Sequence, residues 1–79
     1  MKKSTFTRQY AVLLDALKQA RLEAGLTQTE VGRKFGSHAS FVSKCESGER
    51  RIDVIELAFF CKLYGLTLFD FLKRIPLGQ

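Results

Sequence analysis

The chain has 79 residues, which suits one small domain, and we predict a single domain over 1–79. Its apolar fraction of 46% is too high for a disordered protein, and its longest apolar run, 57–61, is too short to span a membrane. Thirteen basic residues against eight acidic ones give a net charge of +5. That balance favours a polyanionic partner, either nucleic acid or an anionic membrane surface.

Few residues are available for metal binding or catalysis. Cys45 and Cys61 are too few for a disulfide framework, and with His38 as the single histidine they form no zinc-ligand pattern. We interpret both cysteines as small buried apolar residues in a reducing cytoplasm. No nucleophile–base pair and no phosphate-binding glycine loop is found, so we expect a cytoplasmic protein that is not an enzyme and uses no cofactor or metal.

The first predicted helix covers about 7–24. Its inner stripe is made of residues spaced three and four apart, and Gly25 provides the stop at its end. The stripe consists of Tyr10, Leu13, Leu14, Leu17, Arg21 and Ala24.

Three later helices share one start signal, the capping box, in which a polar cap residue is followed three positions later by an acidic one. An apolar pair flanks each box. The boxes are Thr27/Glu30, Asp53/Glu56 and Thr67/Asp70. They predict helices at about 28–35, 54–64 and 68–74.

The segment between Gly36 and Gly48 is also predicted to be helical, although it lacks a capping box. Ser37 is the better N-cap by chemistry, and His38 is the alternative if the helix begins one residue later. Five helices with short connections predict a compact all-α bundle.

One face of this third helix carries small polar residues and a cation. Ala39, Ser40, Ser43 and Lys44 fall within an arc of about 140°, and an apolar set led by Val42 lies opposite. Short side chains allow the helix backbone to approach a partner closely, and Lys44 has the reach to contact guanine or a phosphate. The alternative is an ordinary solvated face.

Two further sets of charged residues belong to this region. Arg21 and Glu46 both occupy inward positions, so we predict a salt bridge between the first and third helices, against the alternative of two separately solvated side chains. Arg50 and Arg51 follow Gly48, where they are placed for DNA phosphates or a minor groove, or are simply solvated. Lys2, Lys3 and Arg8 form either a contacting arm or a disordered tail.

These elements together resemble the Cro/C1-type helix-turn-helix family, also called the XRE family. The resemblance covers about 17–72 and leaves a basic N-terminal arm at 1–5 and a C-terminal tail at 75–79. It is carried by the segments 26–31, 41–44, Glu46, 48–51 and 63–68.

Membership of this family would imply a five-helix domain that binds operator DNA as a homodimer, in a prokaryote or a phage. By position, Gln28 corresponds to a glutamine that contacts a phosphate in lambdoid repressors. Ala39, Ser40, Ser43 and Lys44 correspond to residues that contact base edges, and Arg21 and Glu46 correspond to a buried ion pair.

The chain departs from the family pattern at three positions. Gly32 replaces an alanine at the tight contact between the second and third helices, Ile52 replaces a proline after the basic loop, and Ala39 replaces a frequent glutamine. The loss of that glutamine amide shifts the expected sequence specificity toward Lys44, the serines and DNA shape.

The fourth helix is apolar nearly all round. We predict that Val54, Leu57, Phe60, Cys61 and Tyr64 form its buried stripe. Phe59 and Leu63 on its second stripe, with Phe69 beyond, are candidates for a homodimer surface. The alternative is packing against the first helix through Phe6, Val12 or Ala16.

The sequence therefore predicts a sequence-specific regulator that binds double-stranded DNA, most simply a repressor acting as a homodimer. A phage-type repressor, an antitoxin and a restriction-modification controller all remain open. A protein-interaction module of the same fold is the alternative from another class.

Overall fold

The computed structural model describes residues 7–76, and these residues form five helices without a strand. The helices are α1 (Arg8–Glu23), α2 (Gln28–Lys34), α3 (Ala39–Ser47), α4 (Val54–Leu63) and α5 (Leu68–Leu72). The all-α prediction is thus confirmed. None of the helices in this range is long and apolar enough to cross a bilayer.

Local capping chemistry places most helix starts where the sequence predicts them. The boxes at Thr27 and Asp53 form completely, with side chain and backbone bonded in both directions. At α5 the Thr67 hydroxyl accepts from the Asp70 N–H, but the returning bond of a complete box is not formed. The Asp70 side chain is one methylene shorter than the glutamate of the other boxes, which explains the difference.

The start of α3 follows the alternative prediction. Its N-cap is His38 rather than Ser37, and the His38 side chain makes no capping bond. The helix ends at Gly48, whose φ of 85° is the left-handed conformation that glycine adopts without strain.

All five helices contribute to one core. Its fully buried large side chains are Leu17, Val31, Val42, Cys45, Phe60, Cys61 and Phe71. Two expectations about burial were wrong. Ala24 is exposed because it caps α1, and Val54 is 62% exposed because it opens α4 at the edge of the bundle. Ile75, which the sequence assigned to a tail, is buried in the core.

An aromatic cluster that the sequence did not predict joins α2, α3 and α4. The Phe35 ring centroid lies 5.0 Å from that of Phe41, 4.7 Å from that of Phe59 and 4.5 Å from that of Phe60. Phe35 follows the last residue of α2, so a ring at the turn fixes the position of α3 against α4. Such contacts contribute beyond the apolar area they bury.

Gly32 is where α2 and α3 approach most closely. A Cβ atom at this position would lie 2.5 Å from the carbonyl carbon of His38 and 3.0 Å from the backbone nitrogen of Ala39. Glycine is therefore required by the separation of the two helices in this chain.

Candidate nucleic-acid interface

The predicted base-contacting residues lie together on the outer side of α3. Ser40, Ser43 and Lys44 are exposed, and Ala39 is half-buried at the start of the helix. The inward residues Val42 and Cys45 are fully buried. The helix therefore presents one polar face to a partner while the other face holds it in the core.

Glu46, at the inner edge of this face, connects α3 to α1 and α2. The Arg21 Nε donates to Glu46 Oε2 at 2.7 Å and its Nη2 donates to Oε1 at 3.2 Å, with the two side chains 8% and 5% exposed. Gln28 Nε2 also donates to Glu46 Oε1, at 3.0 Å. The remaining Arg21 Nη1 donates to the Leu26 carbonyl at 2.9 Å.

This arrangement holds α1, α2 and α3 together through one carboxylate. Hydrogen bonding to Glu46 raises the pKa of Arg21 above its ordinary value, so the guanidinium stays charged. Because a buried charge without its partner is unfavourable, truncating either side chain should cost about 3–5 kcal/mol of folding free energy.

Gln28 lines two open grooves beside α3, and each groove also contains one predicted base-contacting residue. One groove is lined by residues that include Lys18, Gln28 and Ala39, and the other by residues that include Lys18, Gln28 and Ser43. Lys18 borders both grooves and forms no ion pair among residues 7–76. No role was assigned to Lys18 from the sequence, although the helical spacing of the first helix places it on the outer face.

Arg50 has partners within the protein. Its Nη1 donates to Glu56 Oε1 at 3.0 Å and its Nη2 donates to Glu56 Oε2 at 2.9 Å. Nη1 also donates to the Arg51 carbonyl at 3.0 Å, and the guanidinium carbon lies 4.9 Å from the centre of the Phe41 ring. The predicted phosphate contact of Arg50 would compete with all of these interactions.

The Arg51 side chain packs on Tyr10 of α1. Its guanidinium carbon is 4.7 Å from the centre of the Tyr10 ring, and the Tyr10 hydroxyl accepts from the Ile52 N–H at 3.1 Å. Tyr10 thus holds the segment after α3 through both its ring and its hydroxyl. The sequence placed Tyr10 on the inner stripe of the first helix but did not predict this contact.

The candidate dimer residues differ in exposure. Phe69 is 69% exposed, with the Lys73 Nζ 5.1 Å from its ring centre, whereas Leu63 is packed partly against the core. Phe59 is 37% exposed and contacts Phe35 with the edge-on geometry of the aromatic cluster. Of the alternative partners on the first helix, Phe6 lies outside the described residues.

The described residues show no arrangement suited to a metal. No group of three or more His, Cys, Asp or Glu side chains within 7–76 is placed to hold one. Both cysteines are buried, and burial raises the pKa of each thiol above its ordinary value. They therefore stay protonated and act as apolar core residues.

A family model described as Helix-turn-helix, HTH_3, matches residues 17–71. The chain belongs to the Cro/C1-type helix-turn-helix family. The match includes α2 and α3 and most of their supporting helices, and it identifies a DNA-binding helix-turn-helix domain. A comparison with curated proteins finds no match.

Proposed function

We propose that this protein is a sequence-specific transcriptional repressor that acts as a cytoplasmic homodimer on a pseudo-palindromic operator. The observation that carries the proposal is the outer face of α3, where Ser40, Ser43 and Lys44 are exposed while the opposite face is fixed in the core. Small side chains there permit close entry of α3 into a major groove, and Lys44 supplies the one long donor for guanine.

Phosphate contacts on the flanks of α3 would set its register on the duplex. Gln28 uses one N–H of its amide to bind Glu46, which leaves a second N–H for a phosphate oxygen. Arg51 supplies a cation on the other side of the helix. Such contacts position the protein, and the residues on α3 supply the discrimination between sequences.

Pairing of two copies would double the contact area and the specificity. The exposed ring of Phe69 on α5, together with Phe59 and Leu63 on α4, is the surface that we propose for this pairing. A two-fold axis there would place two copies of α3 about 34 Å apart, one helical turn of DNA.

DNA binding is tested by selecting bound duplexes from a random pool and titrating the enriched site at several salt concentrations. The logarithm of the affinity should fall linearly with the logarithm of salt, with a slope of about −0.9 for each phosphate contact. Lys44→Ala should lose about 1–3 kcal/mol of discrimination at one base pair, and Lys62→Ala, an exposed lysine on α4, should not. A salt-independent affinity, or no enriched sequence, contradicts the proposal and favours a protein-interaction module.

The homodimer is tested separately by light scattering after size exclusion. Phe69→Ser should shift the mass toward the monomer and reduce affinity for the full operator. Val54→Ser is the matched control, because Val54 is an exposed apolar residue outside the proposed surface. A monomeric wild-type mass at all concentrations would refute the dimer without affecting the DNA proposal.

A further inference from the structure

The segment after α3 is held by one network of hydrogen bonds centred on Glu56. Its carboxylate accepts from both Nη atoms of Arg50, at 3.0 and 2.9 Å, and also accepts from the Asp53 N–H at 3.0 Å. The Arg50 N–H donates to the Lys44 carbonyl at 3.1 Å. We call the pair Arg50 and Glu56, together with these two backbone contacts and the bond from Arg50 Nη1 to the Arg51 carbonyl, the loop clamp.

The loop clamp joins the last turn of α3 to the first turn of α4. One of its contacts is to Arg51 itself, because Arg50 Nη1 donates to the Arg51 carbonyl oxygen at 3.0 Å. On the other side of Arg51, the Tyr10 ring lies under its guanidinium, and the Tyr10 hydroxyl holds the Ile52 N–H. The backbone on both sides of the Arg51 side chain is therefore fixed before any partner arrives.

We infer that Arg50 is a positioning residue, which orders the loop for DNA through Glu56, and that it is not itself the phosphate contact. This inference rests on the proposed function. A phosphate would have to displace Arg50 from a bidentate carboxylate that also caps α4. Fixing the loop in advance lowers the entropic cost of ordering it on DNA.

The two roles of Arg50 predict opposite effects of Glu56→Gln. If Arg50 contacts a phosphate directly, this variant removes a negative charge and one of the two acceptors that hold the arginine, so DNA binding tightens. If Arg50 acts through the loop clamp, binding weakens although the charge change favours DNA. The glutamine carbonyl can still accept from the Asp53 N–H, so the cap of α4 is kept.

Glu49→Gln is the matched control. Glu49 lies in the same loop, its substitution removes the same charge, and its side chain makes no hydrogen bond or ion pair within residues 7–76. We expect Glu49→Gln to bind the operator as tightly as wild type or slightly more tightly. Glu56→Gln should bind about two- to tenfold more weakly than this control, the range expected for ordering one long side chain.

The double variant Arg50→Gln/Glu56→Gln removes one positive and one negative charge and so keeps the wild-type net charge of +5. Because the two residues act as one unit, it should be as weak as Glu56→Gln alone, and not weaker by the product of two effects. Affinities are measured on the selected operator at a temperature where circular dichroism shows every variant folded. Amide hydrogen exchange at Arg50 and Ile52 should be faster in Glu56→Gln and unchanged in Glu49→Gln.

The possible results separate the inference from the proposed function. Glu56→Gln binding as tightly as Glu49→Gln, or the double variant binding like wild type, overturns the positioning role while DNA binding stands. Wild-type protein that fails to enrich any duplex overturns both. Weaker binding by Glu56→Gln together with faster exchange at Arg50 and Ile52 supports the loop clamp.

Discussion

The substitution Gly32→Ala, at the contact between α2 and α3, has two effects of opposite sign on the free energy of unfolding. Alanine is favoured over glycine in a helix interior by about 1 kcal/mol, and the family pattern has alanine here, so a consensus argument predicts stabilisation. The structure predicts the reverse. The new Cβ would lie 2.5 Å from the His38 carbonyl carbon, where ordinary contact begins at 3.4 Å, so the start of α3 must move away by about 0.9 Å.

The atoms that Gly32 opposes belong to the backbone and cannot rotate aside. Forcing extra atoms into a packed interior typically costs about 1–3 kcal/mol, and the gain in helix propensity offsets about 1 kcal/mol of it. Because the opposing atoms are backbone, the upper part of that range, about 2–3 kcal/mol, applies, so we expect a net loss of about 1–2 kcal/mol in the free energy of unfolding. For a domain of this size, each kcal/mol lowers Tm by about 4–8 °C.

Urea unfolding followed by circular dichroism, at one fixed protein concentration, measures this difference. Thr29→Ala is the control, because Thr29 is exposed on the same helix and its replacement should stabilise α2 by a few tenths of a kcal/mol through propensity alone. Gly32→Ala that is as stable as wild type, or more stable, would refute the close helix contact.

Three other substitutions test separate parts of the structure. The Tyr64 hydroxyl is buried without a hydrogen-bond partner among residues 7–76, and burial raises its pKa. Tyr64→Phe should therefore leave the free energy of unfolding in urea unchanged or raise it by up to about 1 kcal/mol. A lower free energy of unfolding would contradict the absence of a partner for this hydroxyl. The slope of log affinity against log salt should be about 0.9 shallower for Lys18→Ala than for Lys62→Ala. Equal slopes would show that Lys18 does not contact a phosphate. The arginine hydrogen bond lowers the pKa of Glu56 below its ordinary value of 4.5, so its stabilisation is present above that value and is lost as pH falls through the folded pKa. Wild type should therefore lose more stability between pH 7 and pH 3 than Glu56→Gln, and equal losses would refute this assignment.

The elements that sequence predicted well depend on short-range chemistry. A cap residue and its acidic partner are three positions apart, so the helix starts at Thr27 and Asp53 could be predicted without knowledge of the fold. The ion pair of Arg21 and Glu46 spans a larger separation, but the requirement that an inward charge be paired was enough to predict it.

The features that sequence missed depend on how helices meet. The Tyr10 hydroxyl and the Ile52 N–H are far apart in the chain, and no periodic pattern links a tyrosine on one helix to a loop amide on another. Phe35 was overlooked because it follows the end of α2, outside the apolar stripes used for prediction. The bonds from Arg50 to Glu56 were not predicted, because a loop arginine has no sequence signal that indicates a bond to a nearby cap glutamate.

Besides the buried Val42 and Cys45, α3 is supported by contacts near its two ends, and these are separate from its outer face. Near its C-terminal end, Glu46 binds the first two helices, and the loop clamp binds the carbonyl of Lys44 in the same turn. At its N-terminal end, Gly32 allows close contact with α2. Ser40 and Ser43 take part in none of these contacts. Their replacement should therefore change which DNA sequence is selected while stability stays within about 0.5 kcal/mol, as for other surface positions. A large loss of stability at either serine would show that the recognition face and the support of α3 are not independent.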